Sequence, residues 1–352
     1  MNTPAKPCVL IGGLTKIDPQ YDDKVSSDAA PRTDFIELAR KLDAEMPLHP
    51  LAESRIFPPI RRVEQKGSLD LSMAAWIARN SRKYNAIISL AETVGIPLAG
   101  ALKLLRRKVP HVLVGHKLSW RIQRYTWRFT KLQNAFDAVA CVSKAQAEYA
   151  ASETGMNIDK GVFIYDKVDE KFFSPRKVDD EGYVLSVGQE QRDYHTLVKA
   201  LEGTGKKVVI VASSPWATKS LNLPPHQDDV IVKSRIPFTE LRDLYARAKV
   251  VAVSVHNVDF AAGVNVLLEG MSMAKPVVCC DTPGLSGYVE NDVTAKLVPP
   301  ENSGALRDIV LSLWDNPKER GRLGEAGRSA IEAAMTLDHY VDRLAQLVND
   351  AI

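Results

Sequence analysis

Residues 250–300 hold the densest set of groups with chemical potential in this chain. The β-branched run Val250–Val255 gives way to a loop, Gly263 opens a segment of helical length, and Glu269 follows six residues later. Backbone N–H groups of Gly263, Val264 and Asn265 at a helix N-terminus favour an anion, because the helix dipole and the orphan donors act on it together. Glu269 lies about one turn further along, suited to accept hydrogen bonds from ribose hydroxyls while a diphosphate sits on the helix end. Read alone, the same residues also fit an ordinary turn followed by a solvated helix glutamate. The chain carries no GxGxxG, which disfavours a nicotinamide dehydrogenase; Gly12-Gly13 after the first strand is by itself an even match to a plain turn. It also has no DxD, HExxH or GxSxG, so the common metal-dependent and serine-nucleophile chemistries lack their parts.

Such a loop needs strands and helices to hold it, and the sequence supplies both. Short apolar runs alternate with amphipathic segments from end to end, the pattern of parallel sheets covered on both faces. Strands are expected near 8–11, 86–90, 111–114, 138–142, 162–165, 184–187, 207–212, 230–232, 250–255, 276–280 and 295–298. Helices are expected near 33–44, 69–83, 143–154, 194–201, 238–247 and 264–273. Eleven strands in 352 residues fit two doubly wound units better than one sheet. The charged, proline-containing stretch 166–180 reads as the linker between them, and residues 14–32 read as a long polar loop.

Composition removes other classes. Hydrophobic residues are 45% and charged residues 25%, which excludes a disordered chain. A net charge of +3 is too small to argue for nucleic acid. Cys8, Cys141, Cys279 and Cys280 have no metal-ligand spacing and read as buried thiols in a reducing compartment. Neither a signal peptide nor a span of about 20 apolar residues is visible, so a soluble cytoplasmic protein is expected. Lys103 to Lys131 contains nine Lys or Arg and no Asp or Glu. Within it Lys117, Arg121, Arg124, Arg128 and Lys131 follow helical spacing, with Trp120 and Trp127 beside them. This basic, aromatic stripe suits an anionic membrane surface; a solvated basic face or a soluble anionic acceptor are the alternatives.

Beyond these readings, residues 263–269, Ala274-Lys275-Pro276-Val277-Val278 and Asp281-Thr282-Pro283-Gly284 resemble the phosphate loop, strand and glycine loop of retaining GT-B glycosyltransferases of glycosyltransferase family 4. Val184–Gly188 with Arg192–Leu197, Phe238–Ala248 and Val168–Pro175 are similar to further parts of that family. The likeness covers about residues 135–350 and is thin over 1–110. It implies two Rossmann-like domains facing across a cleft: 1–168 on the acceptor side, joined by a crossover helix at 337–352, and 178–336 binding the nucleotide sugar. Implied roles follow residue by residue. Glu269 binds the ribose, the amides of Gly263, Val264 and Asn265 hold the diphosphate, and Arg192 neutralises phosphate charge. Main-chain groups near Arg235 and Ile236 read the base, and His116 faces the donor sugar. Glu92 is a guess for an acceptor contact. Two positions depart from the family: Ala261 stands where a first glutamate is usual, with Asp259 the candidate substitute, and Gln189 stands where an arginine is usual.

The resemblance thus implies a hexosyltransferase-type enzyme. It would use a UDP- or GDP-sugar, without metal or other cofactor, on a glycan or lipid-linked acceptor at the inner membrane face. Surface polysaccharide or glycolipid synthesis is the implied setting, and no nucleic-acid partner is expected. A sugar-nucleotide epimerase of the same fold, or a catalytically reduced nucleotide- or partner-binding relative, are the alternatives.

Overall fold

A computed structural model describes residues 5–12, 17–47, 64, 69–212 and 228–352. The chain forms two compact units: 1–19 with 33–164 and 340–352, and 20–32 with 165–339.

The first unit is built on five parallel strands in spatial order β1-β2-β3-β4-β5. These are β1 (Lys6–Leu10), β2 (Tyr84–Ser89), β3 (His111–Gly115), β4 (Ala138–Cys141) and β5 (Gly161–Phe163). Val112, Leu113, Val139 and Ala140 are fully buried, because a parallel strand covered on both faces has no solvent side and reads as an unbroken apolar run. Two apolar clusters fill the unit, one around Leu10, Ile77, Ile87 and Leu98 and one around Leu113, Trp127 and Phe136. The helix Glu92–Leu104 was not foreseen, since Gly95 and Pro97 lie inside it. Proline there leaves the carbonyl four residues back without its helical donor, and the Asp70 amide takes that Thr93 carbonyl at 2.9 Å. Gly95 stands where a Cβ would lie 2.5 Å from a Leu113 methyl, so it lets this helix approach the sheet.

The second unit carries six strands in the order β11-β10-β9-β6-β7-β8, every pairing parallel. They are β6 (Tyr183–Val187), β7 (Lys207–Val211), β8 (Val230–Lys233), β9 (Val250–Val253), β10 (Val277–Cys280) and β11 (Lys296–Val298). From β6 the chain proceeds outward to β7 and β8; from β9 it proceeds the other way to β10 and β11. The reversal between β6 and β9 is a topological switch point, whose carboxyl-end crevice is where open α/β sheets bind ligands. All four cysteines are buried and free.

Two expectations need correction. The stretch 14–32 is not all loop and does not belong wholly to the first unit: Tyr21–Ser26 is helical, and residues 20–32 cluster with the second unit. Ion pairs explain this. Arg32 donates from its amide and its Nε to the Asp169 carboxylate at 2.7 and 3.1 Å, and Arg242 donates to Asp28 at 2.7 Å. The final helix, Leu337–Ala351, starts in the second unit, with the Leu337 amide on the Val168 carbonyl at 2.8 Å. Its residues from Tyr340 onward cluster with the first unit, where Lys41 pairs with Asp342 at 2.8 Å. Among the described residues, no helix is long and apolar enough to cross a membrane.

Candidate functional site

At the carboxyl ends of β6 and β9 the second unit assembles a compact polar cluster. The loop after β6 folds back onto the end of β9. Arg192 pairs with Val255 in an isolated antiparallel bridge, the Asp193 amide donates to the Ser254 carbonyl at 3.0 Å, and the His256 amide donates to the Gln191 carbonyl at 3.0 Å. Ser254 Oγ donates to the Asp193 carbonyl at 2.9 Å, and Asp193 in turn caps the Tyr194–Leu201 helix by accepting the Thr196 amide. These ties hold the Arg192 side chain over the switch point.

Gly188 makes room for that guanidinium, and Gly263 lies on its other side. Gly188 has φ +97°, and a Cβ there would lie 2.6 Å from Arg192 Nη2. Gly263 has φ +89°, and its Cβ would lie 2.7 Å from Val253 Cγ1 and 3.5 Å from Arg192 Nη1. Arg192 donates from Nε to the Val187 carbonyl at 2.7 Å and from Nη1 to the Glu190 carbonyl at 2.8 Å. Two of its five N–H donors therefore position the side chain. Burial pushes its pKa down from the usual arginine range. Tyr194 donates its hydroxyl to the Gly188 carbonyl, fixing the same loop from the other side.

Glu269 sits on the Val264–Ser272 helix, whose N-cap is Gly263. The hydroxyl of Tyr245, fully buried on the Phe238–Arg247 helix, donates to Glu269 Oε2 at 2.7 Å. Burial raises the Glu269 carboxyl to about 7, against the opposing pull of the Tyr245 hydrogen bond and the Arg192 charge. The same burial, with the Glu269 charge beside it, holds the Tyr245 phenol well above its ordinary value. Glu269 is thus a carboxylate poised near neutrality, able to accept hydroxyl donors when ionised.

The amides at the helix start are not equivalent. Val264 donates to the Ala261 carbonyl at 3.3 Å, which closes the turn and leaves Gly263 and Asn265 as the donors for an anion. Asp259 lies exposed on the loop before this helix. That loop is pinned by Gly284: its amide donates to the Val258 carbonyl at 3.0 Å, and a Cβ there would overlap the Phe260 carbonyl. Arg235, with φ +53°, and Ile236 follow edge strand β8, two strands away from β6. Gln189 donates to the Ala212 carbonyl at 3.3 Å.

In the first unit His116 follows β3. Its amide and that of Lys117 both donate to Glu92 Oε1, the former at 2.6 Å, and its Nε2–H donates to the Leu90 carbonyl at 3.3 Å. Glu92, guessed from sequence as an acceptor contact, is 7% exposed and holds the His116 turn in place. The basic stripe is shorter than its spacing suggested. The helix runs only from Arg121 to Thr130, and Lys131 ends it in the left-handed region at φ +52°. Lys117 lies before it, stacked over Trp120 at 4.8 Å. Trp127 packs inward, its indole N–H on the Leu118 carbonyl at 3.1 Å. The side chains of Arg121, Arg124 and Arg128 lie outside the described residues.

Sequence reasoning missed Tyr245 and Tyr194, because no spacing signal links either to the loops it fixes. Within the second unit, residues 167–330 match the family model of glycosyl transferases group 1. This segment is similar to the group 1 glycosyl transferases. The chain is 26% identical over 62% of its length to O-antigen chain mannosyltransferase C of Escherichia coli, and 28% identical over 58% to D-inositol 3-phosphate glycosyltransferase of Xylanimonas cellulosilytica. These matches span 63% and 57% of the relatives' own lengths, under two thirds of either. The crystal structure of Anabaena HepE in complex with UDP-glucose superposes with a TM-score of 0.71, covering 99% of this chain and 100% of that one at 15% identity. That likeness establishes the fold as GT-B, with residues 167–330 carrying the switch-point cluster.

Proposed function

We propose that the protein is a retaining glycosyltransferase. It moves a sugar from a nucleoside-diphosphate sugar to a glycan or lipid-linked acceptor at the cytoplasmic face of a membrane, in surface polysaccharide or glycolipid synthesis. The observation that carries this reading is the convergence of Arg192, the Gly263 helix start and the half-buried Glu269 at one switch point. A nucleoside diphosphate presents a diol about one helix turn from a polyanion, and this cluster offers an acceptor and donors in matching order. The relatives, a mannosyltransferase and an inositol 3-phosphate glycosyltransferase, and the UDP-glucose held by the structural neighbour support the same donor class.

In this proposal Glu269 accepts the ribose hydroxyls through the carboxylate oxygen that Tyr245 leaves open. Gly263 and Asn265 amides hold the diphosphate, and the Arg192 guanidinium faces its charge. Asp259 meets the sugar where Ala261 provides no carboxylate, main-chain groups near Arg235 and Ile236 meet the base, and His116 is the first unit's group toward the sugar. The bond from sugar C1 to the phosphate oxygen breaks, and its electron pair leaves with the nucleoside diphosphate. The acceptor oxygen bonds to C1 from the face just vacated and passes its proton to the departing phosphate oxygen. Fixed amides and a guanidinium stabilise that growing charge without reorganising, which is where catalysis gains most. No metal or further cofactor enters the proposal.

Titration of the parent, Glu269→Ala and Arg192→Ala with a panel of UDP- and GDP-sugars tests it. Selective binding of one donor, lost in both variants and followed by transfer to an acceptor, is the expected result. No binding to any donor would refute the donor assignment and favour a relative without turnover.

A further inference from the structure

The first unit has a second concavity, on the edge of its sheet away from His116. A pocket of about 530 Å³ is lined by Lys103, Arg107, Lys108 and Lys131 over an apolar floor that includes Leu102 and Val109. Its wall includes Pro110 and Asp137, which immediately precede β3 and β4, so it opens at the amino ends of these strands. His116 follows β3 and stands at the carboxyl ends, where the sheet's ligand crevice is expected. The pocket is therefore a separate site.

Its chemistry is that of a phosphate receptor. Four cations meet one described carboxylate, Asp137, whose Oδ2 already accepts the His111 amide at 2.8 Å. Arg107 Nε is buried with no hydrogen-bond partner in the described structure, and an arginine fork is suited to two oxygens of one phosphate. Lys103 Nζ donates to the Thr130 carbonyl at 3.0 Å, which ties the helix carrying it to the Lys131 turn. The chain beside these cations also exposes large apolar groups: Leu104 is 83% and Phe129 74% accessible. A soluble phosphate would gain nothing from them, whereas a lipid surface would cover them.

We infer that this pocket binds the phosphate of an anionic lipid headgroup, with Leu104 and Phe129 entering the adjoining interface. The inference rests on the membrane contact proposed above, and centres it on the Lys103–Lys108 turn, Lys131 and the Phe129 end of the Arg121–Thr130 helix instead of the Arg121, Arg124 and Arg128 stripe.

The test is co-sedimentation of the full chain with phosphatidylcholine vesicles with and without phosphatidylglycerol, alongside titration with inorganic phosphate. Parent protein should bind only the phosphatidylglycerol vesicles. Lys103→Gln with Lys108→Gln, both exposed, should weaken that partitioning about 25-fold, roughly fivefold per cation. Arg107→Gln should weaken it by at least as much as either lysine change alone. Lys199→Gln with Lys318→Gln, which removes equal charge from the second unit, should leave it within about twofold. Equal loss in both pairs, or none in the pocket pair while the parent still binds, would overturn the pocket and leave membrane contact standing. No vesicle binding by the parent would overturn both. Phosphate binding lost in the pocket pair, without vesicle binding, would replace the lipid by a soluble phosphate. Donor titration of the same preparations reads the transferase reading separately.

Discussion

The switch point of the second unit and the Lys103–Lys131 region of the first both concentrate charge, yet they are built in opposite ways. Around Arg192 the polar side chains are held by named partners: Arg192 by the Val187 and Glu190 carbonyls beside Gly188 and Gly263, and Glu269 by Tyr245. Around Lys103–Lys131 the cations line an open pocket or stack on an exposed ring, while Glu92 and Gln146 supply buried anchors only to the turn at 116–119. The first arrangement is rigid and coupled, suited to recognising one polar ligand. The second is adaptable, suited to a diffuse anionic surface. If that contrast holds, single changes at the switch point have large effects that spread through the cluster, and changes in the basic region have small, local ones.

The largest effect is expected at Gly284. A Cβ there meets backbone, which cannot swing aside, so Gly284→Ala should cost about 3 kcal/mol or more and displace the loop bearing Asp259. A shift of the urea midpoint by less than the equivalent of about 1 kcal/mol would break the picture of a pinned loop.

Acidity supplies the next. Glu269 is raised in the folded chain from an ordinary 4.5 to about 7. A raised folded pKa contributes stability that is fully present below the unfolded value and lost as pH rises through the folded one. Unliganded protein should therefore lose on the order of 3 kcal/mol between about pH 4.5 and pH 7.5 from this group. Glu269→Gln should flatten that dependence in pH-resolved denaturation, while donor affinity of the parent rises over the same window as the carboxylate forms.

Gly188 comes third. With φ +97° and Arg192 Nη2 close by, Gly188→Ala should cost about 1–3 kcal/mol and weaken donor binding by moving the guanidinium. Gly203 provides the contrast, since it also has positive φ but nothing lies within 4 Å of its added Cβ. Gly203→Ala should cost about 1 kcal/mol and leave donor titration unchanged; equal binding losses in the two would remove the special role of Arg192.

In the first unit the effects shrink. Glu92→Gln weakens two charge-assisted amide contacts and should cost about 1–2 kcal/mol, lowering transfer through the His116 turn while donor affinity stays constant. Lys117→Ala, which removes a stack on a half-exposed Trp120, should stay within about 0.5 kcal/mol in thermal denaturation. A larger loss would mean the basic region is as tightly coupled as the switch point.

Much of this was legible without coordinates. Buried parallel strands read as apolar runs, so Val184–Val187 or Val250–Val253 announce themselves through local composition. Glycine before a helix with a glutamate further in is also a local signal, and Gly263 does cap the helix that carries Glu269. Reading failed where local rules met a tertiary exception. Gly95 and Pro97 argued against a helix that the Asp70 amide and close packing on Leu113 permit. Helical spacing carried the basic stripe through Lys117 and Lys131, positions that lie beyond the helix ends.

The sequence by itself determined the strand–helix alternation, the two units and the helix start at Gly263, because each depends on residues within a few positions of one another. Only the tertiary structure decided that Arg192 lies between two glycines 75 residues apart, that Tyr245 faces Glu269, and that Glu92 braces His116. Such pairings depend on which strands become neighbours and which side chains are forced out of water together. Burial then sets the charge state of Glu269, and no spacing along the chain carries that information.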